Sequence, residues 1–297
     1  SLIAMEYNLV VQSATLFGEW AKINSTFGGM SGIRIDARNN ATLIASVRSY
    51  PRKFVSLHGL GFGEGSSMSN ENGVYIGMRL RLIGSFALSM YYDLFSFPEK
   101  RSVSKFSVKG NDALMEMQAS LFKKSAVVIR YHRKLAEERS DESAFVTDVR
   151  RLQRIRLQLD YEVSRSVKLR GRLDRLFLDW KHSPQREKGL MIYQDIAVRP
   201  GENCWWSFRI SFFQTDSFSS GIYAYERDLE GVLSMPALYG TGIRWYSVLR
   251  YALGDHMQLT AKYSDTIRDD VKHIGTGPEK LPTNHDNRVG VQLDVRY

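Results

Sequence analysis

The stretch Arg288-Val-Gly-Val-Gln-Leu-Asp-Val-Arg-Tyr297 puts Val289, Val291, Leu293, Val295 and Tyr297 on one side of an extended chain and Arg288, Gln292, Asp294 and Arg296 on the other. Period-two alternation marks a strand, because successive side chains point to opposite faces. A strand over a soluble core alternates in the same way, so recurrence decides the reading. The pattern recurs along the chain. Ile155, Leu157, Leu159, Tyr161 and Val163 alternate with Arg154, Arg156, Gln158, Asp160 and Glu162. Ile243, Trp245, Leu249, Tyr251 and Leu253 oppose Arg244, Tyr246 and Arg250, and Met257, Leu259, Ala261 and Tyr263 oppose Gln258, Thr260, Lys262 and Ser264. Val74, Ile76, Met78, Leu80 and Leu82 likewise stand against Tyr75, Arg79 and Arg81.

No window of about 18 consecutive apolar residues exists, which excludes a helical membrane protein. The mean hydropathy of -0.30 does not exclude a membrane barrel, since only every second residue of a barrel strand meets lipid. Aromatic residues make up 12% of the chain. Trp20, Tyr50, Tyr92, Phe95, Trp180, Trp205, Trp206 and Tyr297 fall near strand ends, where interfacial girdles are expected.

Strands are expected at 2–12, 14–24, 30–37, 41–50, 72–83, 85–96, 111–123, 125–136, 146–163, 166–181, 187–199, 203–215, 239–253, 256–268 and 286–297. Short connections around Ser13, Arg38-Asn39-Asn40, Gly84, Lys124, Ser164-Arg165, Pro200-Gly201-Glu202 and Gly254-Asp255 alternate with long ones at 25–29, 51–71, 97–110, 137–145, 182–186, 216–238 and 269–285. Tight turns at one rim and long loops at the other predict an all-β, antiparallel up-and-down transmembrane β-barrel of about 14–16 strands. Residues 1–297 are read as one barrel domain. The odd strand count and the absence of a signal peptide lead us to expect a further N-terminal strand and a periplasmic region upstream of Ser1.

The net charge is +9 and the sequence pI about 9.5. In a soluble domain this balance would suggest nucleic acid, but here the basic residues fall on the polar strand face. Arg79, Arg81, Arg154, Arg156, Arg170, Arg172, Arg244 and Arg250 are expected to line a lumen, with Glu19, Asp36, Asp93, Glu116, Asp160, Glu162 and Asp174 available on the same face. Direct nucleic-acid binding is not expected. The choice is between a charge-paired ladder that fills the barrel and a basic channel favouring anionic solutes.

Catalytic constellations are weak, and no enzyme activity is expected. His58 with Ser66 and Ser67 sits in a Gly-rich loop, while Asp255-His256 and Asp269-Asp270 fall at opposite ends of a barrel, too far apart to cooperate. The six histidines show no metal spacing and Cys204 is the only cysteine, so no metal or cofactor is expected. Residues 51–71, with Gly59, Gly61, Gly63 and Gly65, suit a loop folded into or over the pore. Residues 216–238 could plug the mouth or contact a partner. Leu293, Val295 and Tyr297 resemble the terminal signal by which outer-membrane assembly machinery recognises bacterial barrels.

Leu16-Phe-Gly-Glu-Trp20, the segment Ser56–Ser67 running into Asn70–Gly77, and Tyr92-Asp-Leu-Phe-Ser-Phe-Pro98 resemble a family of outer-membrane proteins from Bacteroidota. So do Tyr193-Gln-Asp195, Ile222-Tyr-Ala-Tyr-Glu226 and Pro236–Tyr246. Members are usually labelled helix-hairpin-helix proteins after a region that precedes the barrel. The resemblance implies a C-terminal barrel in the outer membrane of a Gram-negative bacterium and no established activity. Two functions are carried forward: a channel with a basic, charge-paired lumen, and a structural barrel closed by its loops that anchors a periplasmic domain or docks a partner.

Overall fold

A computed structural model of the chain describes residues 2–37, 40–54, 61–65, 68–82, 84–99, 107–140, 143–274 and 282–295. All regular structure among them is β. The strands are β1 (Leu2–Val11), β2 (Ala14–Ile23), β3 (Thr26–Ala37), β4 (Ala41–Tyr50), β5 (Glu71–Arg81), β6 (Ala87–Phe97), β7 (Val108–Ala119), β8 (Ser125–Ser140) and β9 (Ser143–Glu162). They continue with β10 (Val167–Trp180), β11 (Arg186–Val198), β12 (Cys204–Thr215), β13 (Ile222–Tyr223), β14 (Ala237–Leu238), β15 (Thr241–Leu253), β16 (Met257–Arg268) and β17 (His285–Val295). Fifteen of them form one sheet in chain order, β1 through β12 and then β15 to β17, while β13 and β14 pair with each other. Each of the fifteen overlaps an expected strand. Among the described residues no helix is long and apolar enough to cross a membrane.

Two connections expected to be long are not. Thr26 pairs with Ile23, so only Asn24 and Ser25 join β2 to β3, with Asn24 at φ 54 taking the left-handed conformation of a tight hairpin turn. The charged run at 137–145 belongs mostly to β8 and β9, which extend to Ser140 and from Ser143. Between β10 and β11 residues 181–185 intervene, a link of the five-residue length expected at 182–186. The remaining long connections hold.

Two compact units are distinguishable: Ser1–Ala119 with Arg130–Gln153 and Asp179–Arg186, and Ser120–Ile129 with Arg154–Leu178 and Glu187–Tyr297. Each is inverted relative to a soluble protein. In the first, Leu43, Val47, Val74, Ile76, Leu94 and Met115 are exposed while Arg48, Glu71, Asp93 and Asp112 are buried. In the second, Ile155, Leu157, Leu159, Ile192, Phe212, Leu249 and Leu293 are exposed while Asp174, Asp195, Arg209, Arg244 and Lys262 are buried. Leaving each such leucine or isoleucine in water forfeits roughly 1.5–3 kcal/mol, and burying a charge costs several more unless it is paired. Strand after strand makes both choices together, which is favourable only if hydrocarbon lies against the apolar face.

The aromatics divide between the faces. Trp206, Phe208, Trp245 and Tyr263 form a continuous outer ladder, with ring centroids 6.1, 6.2 and 5.1 Å apart. Tyr50, Phe95 and Trp205 are not girdle residues. Tyr50 and Phe95 are buried on the polar face, and Trp205 lies under Arg227 and Arg250, each 5.1 Å from its ring centroid. Residues 296–297, and with them the terminal aromatic Tyr297, lie outside the described residues.

Candidate functional site

In the second unit the chain between β12 and β15 folds onto the polar face of the strands that flank it. Five of its residues reach five strands. The Tyr225 carbonyl accepts Arg209 Nη1 of β12 at 2.6 Å. Glu226, 2% exposed, takes both Nε and Nη2 of Arg244 on β15, at 2.7 and 2.8 Å, with Lys262 of β16 at 3.6 Å. Arg227 donates to Ser207 Oγ at 2.6 Å and to Asp195 of β11 at 3.3 Å. The Asp228 carboxylate accepts Lys262 Nζ at 2.5 Å and its carbonyl accepts Arg250 at 2.8 Å. Glu230 accepts Gln258 of β16 through its side chain and Gln292 of β17 through its carbonyl. From Arg244 through Tyr246 to Arg250 the segment follows β15, a reach of roughly 20 Å at about 3.3 Å per residue.

Charge-assisted, bidentate hydrogen bonds are the strong kind, and here they link a loop to a wall. Asp195 is shared: Arg209 Nη2 reaches it at 2.7 Å on the side opposite Arg227. Arg209 also lies 4.0 Å from the Tyr193 ring centroid. Burial pushes the Asp228 carboxyl up, but the Lys262 ammonium and the Leu229 amide outweigh it and hold the group below its ordinary value of 3.8. A depressed carboxylate stabilises the folded arrangement fully above its ordinary value, and that contribution disappears as the pH falls below it through the folded value. Amides of residues 222–235 should therefore lose protection from hydrogen exchange as the pH falls through and below 3.8. Asp228→Asn should show the weaker protection already at pH 6, and identical exchange of the two proteins at pH 6 would show that this pair does not hold the segment.

The first unit repeats the device on a smaller scale. Arg48 of β4 joins Glu71 of β5 and Asp93 of β6, and Phe62, from the segment between β4 and β5, lies 5.0 Å over the guanidinium. Glu71 also accepts the amides of Glu64 and Gly65, and Glu64 pairs with Lys134. Nearby, Asp112 accepts Tyr91 Oη at 2.9 Å and contacts His132 Nε2 at 2.7 Å. The expected inward fold of 51–71 is thus seen at 61–65, while His58, Ser66 and Ser67 lie outside the described residues.

Of the arginines expected to line a lumen, Arg156 and Arg172 converge on the fully buried Asp174, Arg170 pairs with Asp160, and Arg244 and Arg250 hold the inserted segment. Arg154 is half-buried and partnered, and Arg79 and Arg81 are exposed in the first unit. Sequence reasoning named Asp195 and Glu226 only within the motifs Tyr193–Asp195 and Ile222–Glu226, without a site role, and did not single out Arg48, Arg209 or Arg227. Among the described residues no group of three or more His, Cys, Asp or Glu side chains is placed to hold a metal ion.

The backbone resembles in-vitro folded OmpT, an outer membrane protein of Vibrio cholerae, with TM-score 0.50 and 11% identity over 99% of this chain and 88% of that one. The outer-membrane expressed form of the same protein gives the same four values. The fold is that of an outer-membrane β-barrel. No protein-family model and no curated protein matches the chain. With this fold, the exposed apolar face of each unit is the lipid-facing belt and the outer membrane is its setting. The ion pairs lie on the opposite, polar face of the strands.

Proposed function

We propose that this chain is a barrel held closed by its own inserted segment, serving as a structural or anchoring element and conducting only when residues 216–240 are displaced. Glu226 carries the reading: a carboxylate 2% exposed and gripped by Arg244 and Lys262 belongs to a seated plug rather than a solvated loop. The sequence resemblance to helix-hairpin-helix proteins of Bacteroidota supports a barrel that anchors a periplasmic domain. Leu293 and Val295 share the exposed face of β17, as suits a strand whose apolar side assembly machinery recognises.

One observation favours a selective channel as the second reading. Against the plug lies a cavity of about 580 Å³ whose lining holds four cations, Arg244, Lys262, Arg268 and Arg288, and two carboxylates, Asp228 and Asp286, a cationic excess that suits anionic solutes. Single-channel recording separates the two. The intact barrel should show rare, brief openings, and a variant lacking 222–235, checked by its heat-modifiable migration, should conduct steadily. Steady conductance of the intact barrel, equal to that of the deletion, would leave the channel reading in its place.

A further inference from the structure

The second unit holds another cavity, of about 250 Å³, beside the Ser164-Arg165 turn. Four cations line it, Arg165, Lys168, Arg199 and Arg227, together with Ser166 and Trp205, and no carboxylate does. Two larger cavities of this unit mix cations with carboxylates in their linings: Asp228 and Asp286 line one, Asp160, Glu162 and Asp195 the other.

The charges are under-compensated as well as clustered. Among the described residues, Arg165 and Lys168 have no ion-pair partner. Arg199 donates to the Glu202 carbonyl, a neutral acceptor. Arg227 shares the single Asp195 carboxylate with Arg209, whose hydrogen bond to it is the shorter at 2.7 against 3.3 Å. The lining of the cavity therefore carries a surplus of positive charge, walled by Trp205, Ala197 and Val198. Lys168 and Arg227 also border a neighbouring cavity that Asp160, Glu162 and Asp195 line, so Arg165 and Arg199 are the cations farthest from compensation. Arginine forks and a lysine point charge are the groups that recognise phosphate oxygens.

We propose that this cavity binds a phosphate-bearing anion. A phosphomonoester carries about −1.5 to −2 charges near neutral pH, which suits several cations better than a carboxylate does. The volume is below the roughly 300–1,000 Å³ of pockets for drug-sized ligands, so the site takes a headgroup-sized fragment. Because Arg227 belongs to the inserted segment, an occupant would touch wall and plug together. The site rests on the seated-segment reading for Arg227 alone, since Arg165, Lys168 and Arg199 belong to the wall and its turns; single-channel recording tests that reading and ligand titration tests the anion site.

The phosphate could come from a free phosphomonoester or from a lipid headgroup. The test uses the full chain in phosphatidylcholine vesicles, titrated with glycerol 3-phosphate and followed by tryptophan fluorescence, with Trp205→Phe to isolate the signal. A second arm replaces part of the lipid with phosphatidylglycerol and adds no free phosphate. Saturable binding in the first arm, weakened about tenfold by Lys168→Gln or Arg165→Gln as each removes one charge-assisted contact, supports a free ligand. A Trp205 change in the second arm alone, abolished by the same substitutions, supports a headgroup. Both positions are exposed, so the variants should fold, as heat-modifiable migration verifies. No response in either arm, or equal weakening by the distant exposed control Lys272→Gln, overturns the proposal.

Discussion

Arginine at position 249 lowers the stability of the folded barrel in lipid vesicles by about 2–4 kcal/mol, the cost of a cationic side chain near the bilayer midplane of a β-barrel. Leu249 lies on the exposed face of β15, paired across the sheet with Trp206 of β12 and Ala261 of β16. A charge there has no carboxylate to meet and enters hydrocarbon. Leu157, exposed on β9 between the half-buried Arg156 and Gln158, gives the same expectation. The contrast is Arg79→Gln, at an exposed position on the opposite face of β5, which should stay within about 0.5 kcal/mol of the parent. Urea titration of vesicle-inserted protein measures all three. Equal losses at positions 249 and 79 would mean that the lipid-facing and lumenal faces have been exchanged.

The strands were legible because lipid on one side and a polar lumen on the other force strict alternation, which survives in the sequence even where mean hydropathy is low. Legibility failed where one face stops meeting hydrocarbon. Glu137, Glu138, Arg139 and Ser140 read as a loop because both faces are polar, although β8 continues through them. The start of β3 was hidden by Gly28 and Gly29, which carry no face information. Parity could have corrected the aromatics: Tyr50 shares the face of Arg48, Phe95 that of Asp93, and Trp205 that of Arg209, so all three belonged on the polar side. Pairing within the site was a different matter. Glu226 lies 18 residues from Arg244 in sequence, and which strand an inserted segment meets depends on tertiary folding that local pattern does not encode. Sequence reasoning could name Arg244 and Arg250 as lumenal, but not the plug they hold.

Arg48→Met should cost about 3–5 kcal/mol, the range for removing one partner of a buried ion pair. Arg48 is opposite Gly73 in the β4–β5 register, and its side chain crosses β5 over that glycine to reach Asp93 on β6. A methyl at position 73 would overlap the guanidinium, so Gly73→Ala should disturb the same network. The arginine side chain is 1% exposed and makes hydrogen bonds of 2.7, 2.8 and 2.9 Å to the two carboxylates. Methionine fills much of the volume but leaves Asp93 buried, its two arginine contacts gone. Glu71 is less affected, because the Glu64 and Gly65 amides still donate to it. The double variant Arg48→Met/Asp93→Leu should therefore recover most of the loss, since replacing a buried ion pair by apolar groups of similar size is often neutral or stabilising. Unfolding of the parent, single and double variants in vesicles tests this. If Arg48→Met costs less than about 1 kcal/mol, or the double variant is no more stable than the single, the buried carboxylate is not what makes the arginine necessary.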